Sequence, residues 1–513
     1  MQPSDSTSRG TTARKPVRLR AGASNADTTA SSCTAKVRLS CSSNRTRAAK
    51  ASVSGAIALA VFLATACQSY SPRPLELDAR MDAIRARLAD VSAHGRFVEQ
   101  LSESGQQPPA RLELSDGVTL AEGEVLALFY NSNLRVARLK AGVALAKFEN
   151  AGLWQDPVFG FDAAQVLSPG NDLEYGATLG LTLPVSGRLA VAKTRAGAAY
   201  EVELKRIVDA EWSLRIAVRQ AWYEWTAAER RRELLERVIE QVERIRAIAG
   251  QLAEAGAIRE ADERLLRIEL VGRRAELTAA ELASQQVRVR ILWMMGLPPD
   301  SALALQETQE LPSLPEDTDL VERVLHSNTQ LAVLRSEFSV TEEALRLAVR
   351  KQYPDIGFGA GYGSEDDDSR FLFGFSLPIP LLNRNRAEIA AAGAQREVAR
   401  AAVETALERI VREARETELV LRAARIQRAQ FVDELLPLLD EQATNVEELA
   451  ELGDVDTFLL LETVGRRFNA QSRLIELEQA ESESIAGLAF LLGPSTLPSP
   501  TTTDDISLPP PGH

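Results

Sequence analysis

The stretch that decides the fold runs from Asp355 to Ile379, DIGFGAGYGSEDDDSRFLFGFSLPI. Phe371, Phe373 and Phe375 alternate with Leu372, Gly374 and Ser376, and a period of two places one set of side chains on one face of a strand. The acidic turn over 364–368 separates two such runs, so we predict a β-hairpin with strands over 355–363 and 370–379. Each strand has about nine or ten residues, the length that crosses a bilayer at a tilt.

A second hairpin precedes the first in the chain. Its predicted strands cover 158–166 and 174–183, and a Ser-Pro-Gly-Asn-Asp turn over 168–172 separates them. The two hairpins belong to a tandem repeat of 197 residues, which predicts two domains, 118–297 and 315–494, joined by a linker over 298–314. The same spacing separates Asn131 and Asn328, Leu134 and Leu331, Val136 and Val333, Pro157 and Pro354, Gly256 and Gly453, and Gly296 and Gly493.

Long helices surround the hairpins. We predict a helix over 119–151, with Thr119 as N-cap and Glu122 three residues later, and its counterpart over 318–351. Proline-free runs over 186–250 and 381–436 predict very long helices, the first roughly 100 Å in length. Heptad spacing indicates coiled coils in both. Return helices over 258–296 and 455–492 make two helical hairpins, whose tips lie at Gly256 and Gly453.

Two β-hairpins cannot span a membrane alone, because open edges would leave backbone groups unpaired in hydrocarbon. We therefore expect several chains to close one barrel. The sequence does not give the number of chains.

The N-terminus has the pattern of an exported lipoprotein. Residues 1–66 are a basic leader and signal peptide, with 10 Lys/Arg against 2 Asp/Glu and an apolar run over 51–66. That run ends in Leu63-Ala64-Thr65-Ala66-Cys67, which resembles a lipobox in which Cys67 carries acyl chains. An ordinary signal peptide with a chance cysteine is the alternative. Residues 67–117 form an N-terminal periplasmic segment, and the Pro-rich tail 495–513 is predicted to be disordered.

The composition excludes several classes of function. Beyond residue 66 the chain has 49 basic and 70 acidic residues, and such an acidic body argues against nucleic acid as a partner. The three histidines and three cysteines have no metal-ligand spacing, so we predict neither a metal site nor a cofactor. No phosphate-binding loop, nucleophile elbow or zinc motif is present, so an enzyme is not expected.

Several motifs resemble the TolC family of outer-membrane efflux proteins. The run 120–126, LAEGEVL, followed by Asn131-Ser132-Asn133-Leu134, looks like the opening signature of that family. The runs 152–157, GLWQDP, and 377–386, LPIPLLNRNR, are similar to motifs of lipoprotein subunits that serve heavy-metal efflux systems. The resemblance covers about residues 67–494.

The resemblance implies a mostly α fold with a small membrane β part. It implies a homotrimer, in which four strands per chain contribute to a 12-stranded barrel above a long helical tunnel. It also implies outer-membrane localisation and two protein partners, a periplasmic adaptor and an inner-membrane pump of the RND type. The expected function is a passive conduit for export, with heavy-metal cations as the expected substrate.

The resemblance also suggests functional residues at the tips. Gly256, Ala257, Gly453 and Val455 are expected to dock the adaptor. Asp262, Asp454, Asp456 and Glu462 are candidates for acidic rings that gate the periplasmic aperture. Leu459 stands where family members carry a second gating acid, so the sequence departs from a double acidic ring at this position. Solvated helix faces explain such acids equally well.

Other functions remain open at this point. The channel could export drugs or other organic solutes, or serve type I protein secretion. A periplasmic adaptor should show one helical hairpin flanked by halves of a β domain, whereas this chain has duplicated hairpins. A lipid-anchored coiled-coil tether would lack the barrel.

Overall fold

A computed structural model describes residues 70–89, 95–99, 101, 114–165, 167, 173–256, 258–308, 319–365, 368–451 and 456–494. Predictions for the leader, the tail, Cys67, Ala257, Gly453, Asp454 and Val455 fall outside the described residues. Contacts divide the chain into two units, Met1–Leu75 and Glu76–His513. Residues 70–75 of the first unit are exposed and have no regular secondary structure. All elements below belong to the second unit.

The first half of the second unit contains helices, two strands and then two longer helices. After α1 (Leu77–Arg85) and a 3-10 turn (Arg87–Ala89), the elements are α2 (Leu120–Tyr130), α3 (Ser132–Glu149), β1 (Val158–Gln165), β2 (Leu173–Leu183), α4 (Arg188–Glu254) and α5 (Glu260–Met294). With 67 residues, α4 is ~100 Å long at 1.5 Å per residue.

The second half has the same order of elements. These are α6 (Leu320–Ser327), α7 (Thr329–Arg350), β3 (Ile356–Glu365), β4 (Asp368–Ser376), α8 (Arg386–Gln430), a π-helical turn (Phe431–Leu435), α9 (Leu436–Glu451) and α10 (Thr457–Leu492). The predicted fold class, mostly helical with a small antiparallel sheet, is confirmed. The domain bounds 118–297 and 315–494 stay a prediction.

The four strands form one antiparallel sheet in the order β1-β2-β3-β4. The two hairpins are joined because β2 pairs with β3, with Leu183 opposite Ile356. The last strand was predicted to reach Ile379, but β4 ends at Ser376. Pro378 and Pro380 follow within four residues, and proline has no N–H to donate to a strand ladder.

The heptad seams of the long helices form the helical core. Leu235, Val238, Val242 and Ala249 are buried on α4. On α8 the buried seam residues are Ile410, Ala414, Leu421 and Ala424. The coiled-coil interpretation of both helices is therefore confirmed. Among the described residues, no helix has the length and apolar character needed to cross a membrane.

Aromatic residues of α4 make the centre of another cluster. Trp222 is fully buried, and its indole Nε1 donates to the Gln306 carbonyl at 2.9 Å. Gly123 of α2 lies against this ring, since a Cβ on Gly123 would stand 2.6 Å from Trp222 Cζ3. Trp225 packs edge-on to Trp222 with ring centroids 6.2 Å apart. Both rings are therefore part of the helical core.

Both helices that precede the strands differ from their prediction, because each is broken once. Asn131 ends α2 and caps α3, accepting from the backbone N–H groups of Asn133 and Leu134 at 3.0 and 3.1 Å. Asn328 separates α6 and α7 in the same way. Asparagine satisfies free N–H groups at a helix start, which allows the chain to begin a new helix at once. The predicted start is confirmed, since Thr119 and Glu122 form a capping box.

The second long helix also differs from its prediction at both ends. It begins at Arg386 instead of Leu381, because residues 377–385 form a loop. It continues past Leu436 through the π-helical turn into α9. The π turn ends two residues before Pro437, whose ring would collide with the carbonyl four residues earlier in a regular helix.

Candidate functional site

The tip of the first helical hairpin is a glycine turn. Gly256 has a φ of +71°, and its N–H donates to the Ala253 carbonyl at 3.0 Å. A Cβ at Gly256 would meet nothing within 4 Å, so the left-handed backbone and not lack of space favours glycine here. The predicted chain reversal at Gly256 is confirmed.

Asp262, a predicted aperture acid, lies in the first turn of α5. Its carboxylate accepts from the Arg259 backbone N–H at 3.3 Å and pairs with the Arg259 guanidinium at 3.1 Å. The side chain of Asp262 is 19% exposed, whereas that of Arg259 is 84% exposed. A carboxylate at this position stabilises the helix start, so Asp262 has a local structural role.

The acids near the second tip also have partners on their own helix. Asp456 caps α10 and accepts from the N–H groups of Phe458 and Leu459 at 3.0 and 3.2 Å. Glu462 pairs with Arg466 at 2.6 Å, one turn further along α10. Among the described side chains, no hydrogen bond or ion pair joins Asp262, Asp456 or Glu462 to one another. The gating roles stay a prediction.

The sheet separates apolar from polar side chains. One face, which we call the apolar face, carries Phe159, Phe161, Tyr175, Leu179, Leu181, Phe358, Tyr362, Phe371, Phe373 and Phe375, as the register of the paired strands requires. These side chains are exposed, with Phe373 at 80% and Phe375 at 76%. An apolar surface of this extent marks contact with a partner or a membrane.

The opposite, polar face is built mostly from small and charged residues. The charged residues Asp162, Glu174, Asp368 and Arg370 lie there. Eight glycines share this face, including four at alternate positions 357–363 of β3. The sheet can therefore separate hydrocarbon on one side from water on the other.

Buried ion pairs in the helices were not predicted. Arg138 of α3 and Glu211 of α4 pair at 2.8 Å with side chains only 7% exposed. Glu481 of α10 is 4% exposed and pairs with Arg425 and Arg428 of α8 at 2.9 and 2.8 Å. The sequence indicates that Glu481 is buried, because it lies four residues from Leu477 and four from Ile485 on one apolar stripe of the helix.

Glu124 and Asp209 are further acids inside the helical region. Glu124 of α2 pairs with Arg219 and lies 3.7 Å from Arg215 of α4. Burial raises the pKa of Asp209, while the hydroxyl of Thr329, which donates to its carboxylate at 2.6 Å, acts in the opposite direction. Among the described residues, no group of three or more His, Cys, Asp or Glu side chains could hold a metal ion.

The second half of the chain is similar to a known protein family. Residues 320–494, which span α6 to the end of α10, match the family described as outer membrane efflux protein. The cobalt-zinc-cadmium resistance protein CzcC of Cupriavidus metallidurans is 22% identical over 216 residues, 42% of this chain and 51% of CzcC. Residues 320–494 belong to the outer membrane efflux protein family. The aligned region spans about half the length of CzcC.

Solved structures agree with this outer membrane efflux fold. A membrane protein from Pseudomonas aeruginosa has a TM-score of 0.64 at 20% identity, covering 75% of this chain and 96% of its own. CusC, solved in a study of folding and transmembrane channel formation, has a TM-score of 0.64 at 16% identity, covering 75% and 98%. Proteins of the outer membrane efflux family are channels and not enzymes, which confirms the prediction that the chain is not an enzyme.

Proposed function

We propose that this chain is one subunit of an outer-membrane channel that conducts solutes out of the periplasm. The observation that carries the proposal is the two-faced sheet. Its apolar face suits hydrocarbon, its polar, glycine-rich face suits water, and its strands have the length that crosses a bilayer at a tilt.

Several copies complete the channel in this proposal. In the described sheet, β1 and β4 each have a neighbour on one side only, so their outer edges need partners in a membrane. Pairing β1 of one copy with β4 of the next closes a barrel without new kinds of contact. Three copies give twelve strands, the number that the TolC resemblance implies.

The helical hairpins form the periplasmic part of the conduit. Helix α4 alone is ~100 Å long, which carries the path far from the membrane. The tips at Gly256 and Gly453 then meet a periplasmic adaptor, which connects the channel to an inner-membrane pump.

We also propose that Cys67 bears the lipid anchor. Labelled palmitate should be incorporated into the intact chain, and this incorporation should be lost in Cys67→Ala.

We propose divalent metal cations as the exported substrate. CzcC is named for resistance to cobalt, zinc and cadmium, and the motif 377–386 resembles subunits of heavy-metal systems. The channel needs no binding site of its own, because a pump selects the substrate. An acidic chain with net formal charge −13 is compatible with passing cations.

The experiment is a deletion of this chain in its host. We expect growth to become sensitive to zinc, cobalt or cadmium, and cellular metal content to rise, with both effects reversed by the intact gene. Unchanged metal tolerance with new sensitivity to organic dyes would reassign the substrate. Unchanged tolerance to all tested solutes would contradict the channel function.

Adaptor docking has a separate test at the tips. Asp454→Lys should reduce co-purification of the adaptor. Glu408→Lys is the control and should not reduce it, because Glu408 is an exposed residue in the middle of α8, away from the tip. Equal recovery of adaptor by both variants would count against docking at this tip.

A further inference from the structure

The loop over 377–385, between β4 and α8, turns large apolar side chains outward. Leu382 is 93% exposed, Ile379 72% and Leu381 69%. These are not core residues of the subunit, and the described helices and strands beside them do not cover them. Exposed leucines in a row are costly in water unless another surface covers them.

The backbone of this loop is held in place. Pro378 and Pro380 restrict it, and the Leu381 N–H donates to the Ile379 carbonyl at 2.9 Å. Arg384 and Asn385 follow with φ values of +45° and +54°, a left-handed backbone conformation that residues other than glycine rarely adopt. The Asn385 side-chain amide fastens the loop to the Ala348 carbonyl of α7 at 2.8 Å. The outward leucines therefore belong to a defined turn.

Other exposed apolar residues lie at the same end of the sheet. Pairing of Val158 with Gly180, Leu183 with Ile356 and Gly357 with Ser376 places the start of β1 and β3 beside the end of β2 and β4. At this end the large exposed residues outside the strands form what we call the collar: Leu153, Trp154, Val185, Tyr353, Leu377, Ile379, Leu381 and Leu382. Tryptophan and tyrosine favour the level of lipid headgroups.

Basic side chains accompany the collar. Arg350, Arg384 and Arg386 are exposed beside it. Two of the acids at this end already have partners: Asp355 pairs with Arg188, and Glu388 with Lys351 at 3.2 Å, whereas Asp156 is exposed. Exposed arginines next to exposed leucines are suited to the surface of a lipid bilayer, where headgroup phosphates lie beside the acyl chains.

We propose that the collar is seated in the periplasm-facing leaflet of the outer membrane. Leu381 and Leu382 enter the acyl chains, and Arg384 and Arg386 bind lipid phosphate. The collar follows the apolar face along the chain, since Leu377 comes two residues after Phe375 of that face. This inference rests on the proposed function, because it needs the sheet to span the membrane.

The experiment measures the depth of three cysteine variants labelled with bimane. The protein is reconstituted in phosphatidylethanolamine–phosphatidylglycerol vesicles with and without brominated acyl chains. Leu382→Cys reports on the loop, Phe373→Cys on the apolar face, and Val398→Cys on α8, twelve residues after its start. All three native residues are exposed, so the substitutions should be tolerated. The unsubstituted chain, labelled in parallel, gives the background.

We expect brominated lipid to quench the labels at 373 and 382 and to leave the label at 398 unchanged. Quenching at 373 but not at 382 would overturn the collar proposal and leave the channel intact. A Leu382→Cys label that is unquenched and cross-links to a second copy would assign the loop to a subunit contact instead. Absence of quenching at 373 would contradict the proposed function itself.

Discussion

Asn131 and Asn328 make the same tertiary hydrogen bond in the two halves of the chain. The side-chain amide of Asn131 donates to the Met294 carbonyl at 2.9 Å, and that of Asn328 donates to the Leu491 carbonyl at 2.8 Å. Each bond spans 163 residues and fastens the end of a return helix to the start of the helix that leads to the sheet. Because Asn131 and Asn328 are 197 residues apart, the sequence repeat is also a repeat of contacts.

We predict that Asn131→Ala and Asn328→Ala destabilise the protein by similar amounts. Each change removes a helix cap and leaves the carbonyl at the end of a return helix without this donor, a loss of roughly 1–3 kcal/mol. Thermal denaturation of the purified protein measures the effect. The exposed neighbour Asn133→Ala is the control and should change the midpoint little. A midpoint unchanged in both variants would show that these bonds do not hold the helix ends.

Gly123→Ala should destabilise the contact between α2 and α4. The new methyl group would stand 2.6 Å from Trp222 Cζ3, so the indole or the helix must shift, at a cost of about 1–3 kcal/mol. Gly142→Ala in α3 is the matched control, since a Cβ there meets nothing within 4 Å. Alanine favours helix more than glycine, so Gly142→Ala should raise the denaturation midpoint. Equal effects of the two changes would contradict the close packing.

The buried pair Arg138–Glu211 predicts strong coupling between the two positions. Arg138→Met leaves the Glu211 carboxylate buried without this partner, which costs about 3–5 kcal/mol. Adding Glu211→Leu should restore much of that loss. Arg244→Met is the control, because Arg244 and Glu240 are both exposed and their pair contributes little. A double variant as unstable as Arg138→Met alone would reject the coupling.

Asp209 predicts a pH-dependent contribution to stability. Burial holds its pKa above the ordinary value, so the folded state binds the proton more tightly than the unfolded chain. The free energy of unfolding therefore falls as pH rises from the ordinary aspartate pKa through the raised pKa of Asp209 in the folded state, and the loss persists at neutral pH. Asp209→Asn should raise the denaturation midpoint at pH 7, and the gain should shrink in acid.

The Asp209→Asn variant keeps the contact with Thr329, because the Thr329 hydroxyl can donate to a side-chain amide oxygen as it does to the carboxylate. The exposed Asp116→Asn is the control and should show no comparable gain. A midpoint that falls at pH 7, or a difference that is constant with pH, would contradict the assignment.

Sequence predicted most of the architecture, because period-two strands and heptad helices leave clear patterns. The alternation of Phe371, Phe373 and Phe375 indicated β4, and the heptad through Leu235 and Val242 indicated the seam of α4. The breaks at Asn131 and Asn328 were missed, since an apolar helical pattern runs through both sites and one side chain decides each break. The π turn before Pro437 was missed because its wider hydrogen bonding leaves no period in the sequence.

The candidate site was predicted less completely. Asp262 and Glu462 were selected because the family resemblance implies gating acids near the tips, but Arg259 and Arg466 lie within one turn and bind them. Local spacing of opposite charges could have indicated those partners. Glu211 and Glu481 were missed because their partners come from other helices, although the position of Glu481 on an apolar stripe sets it apart.

The central claim is that copies of this chain satisfy the edges of β1 and β4 for one another within the outer membrane. The most direct measurement is the native mass of the full chain, extracted from outer-membrane fractions in mild detergent. We predict a single species with the mass of three copies. A stable species with the mass of one chain, recovered from the same membrane fraction, would contradict the account.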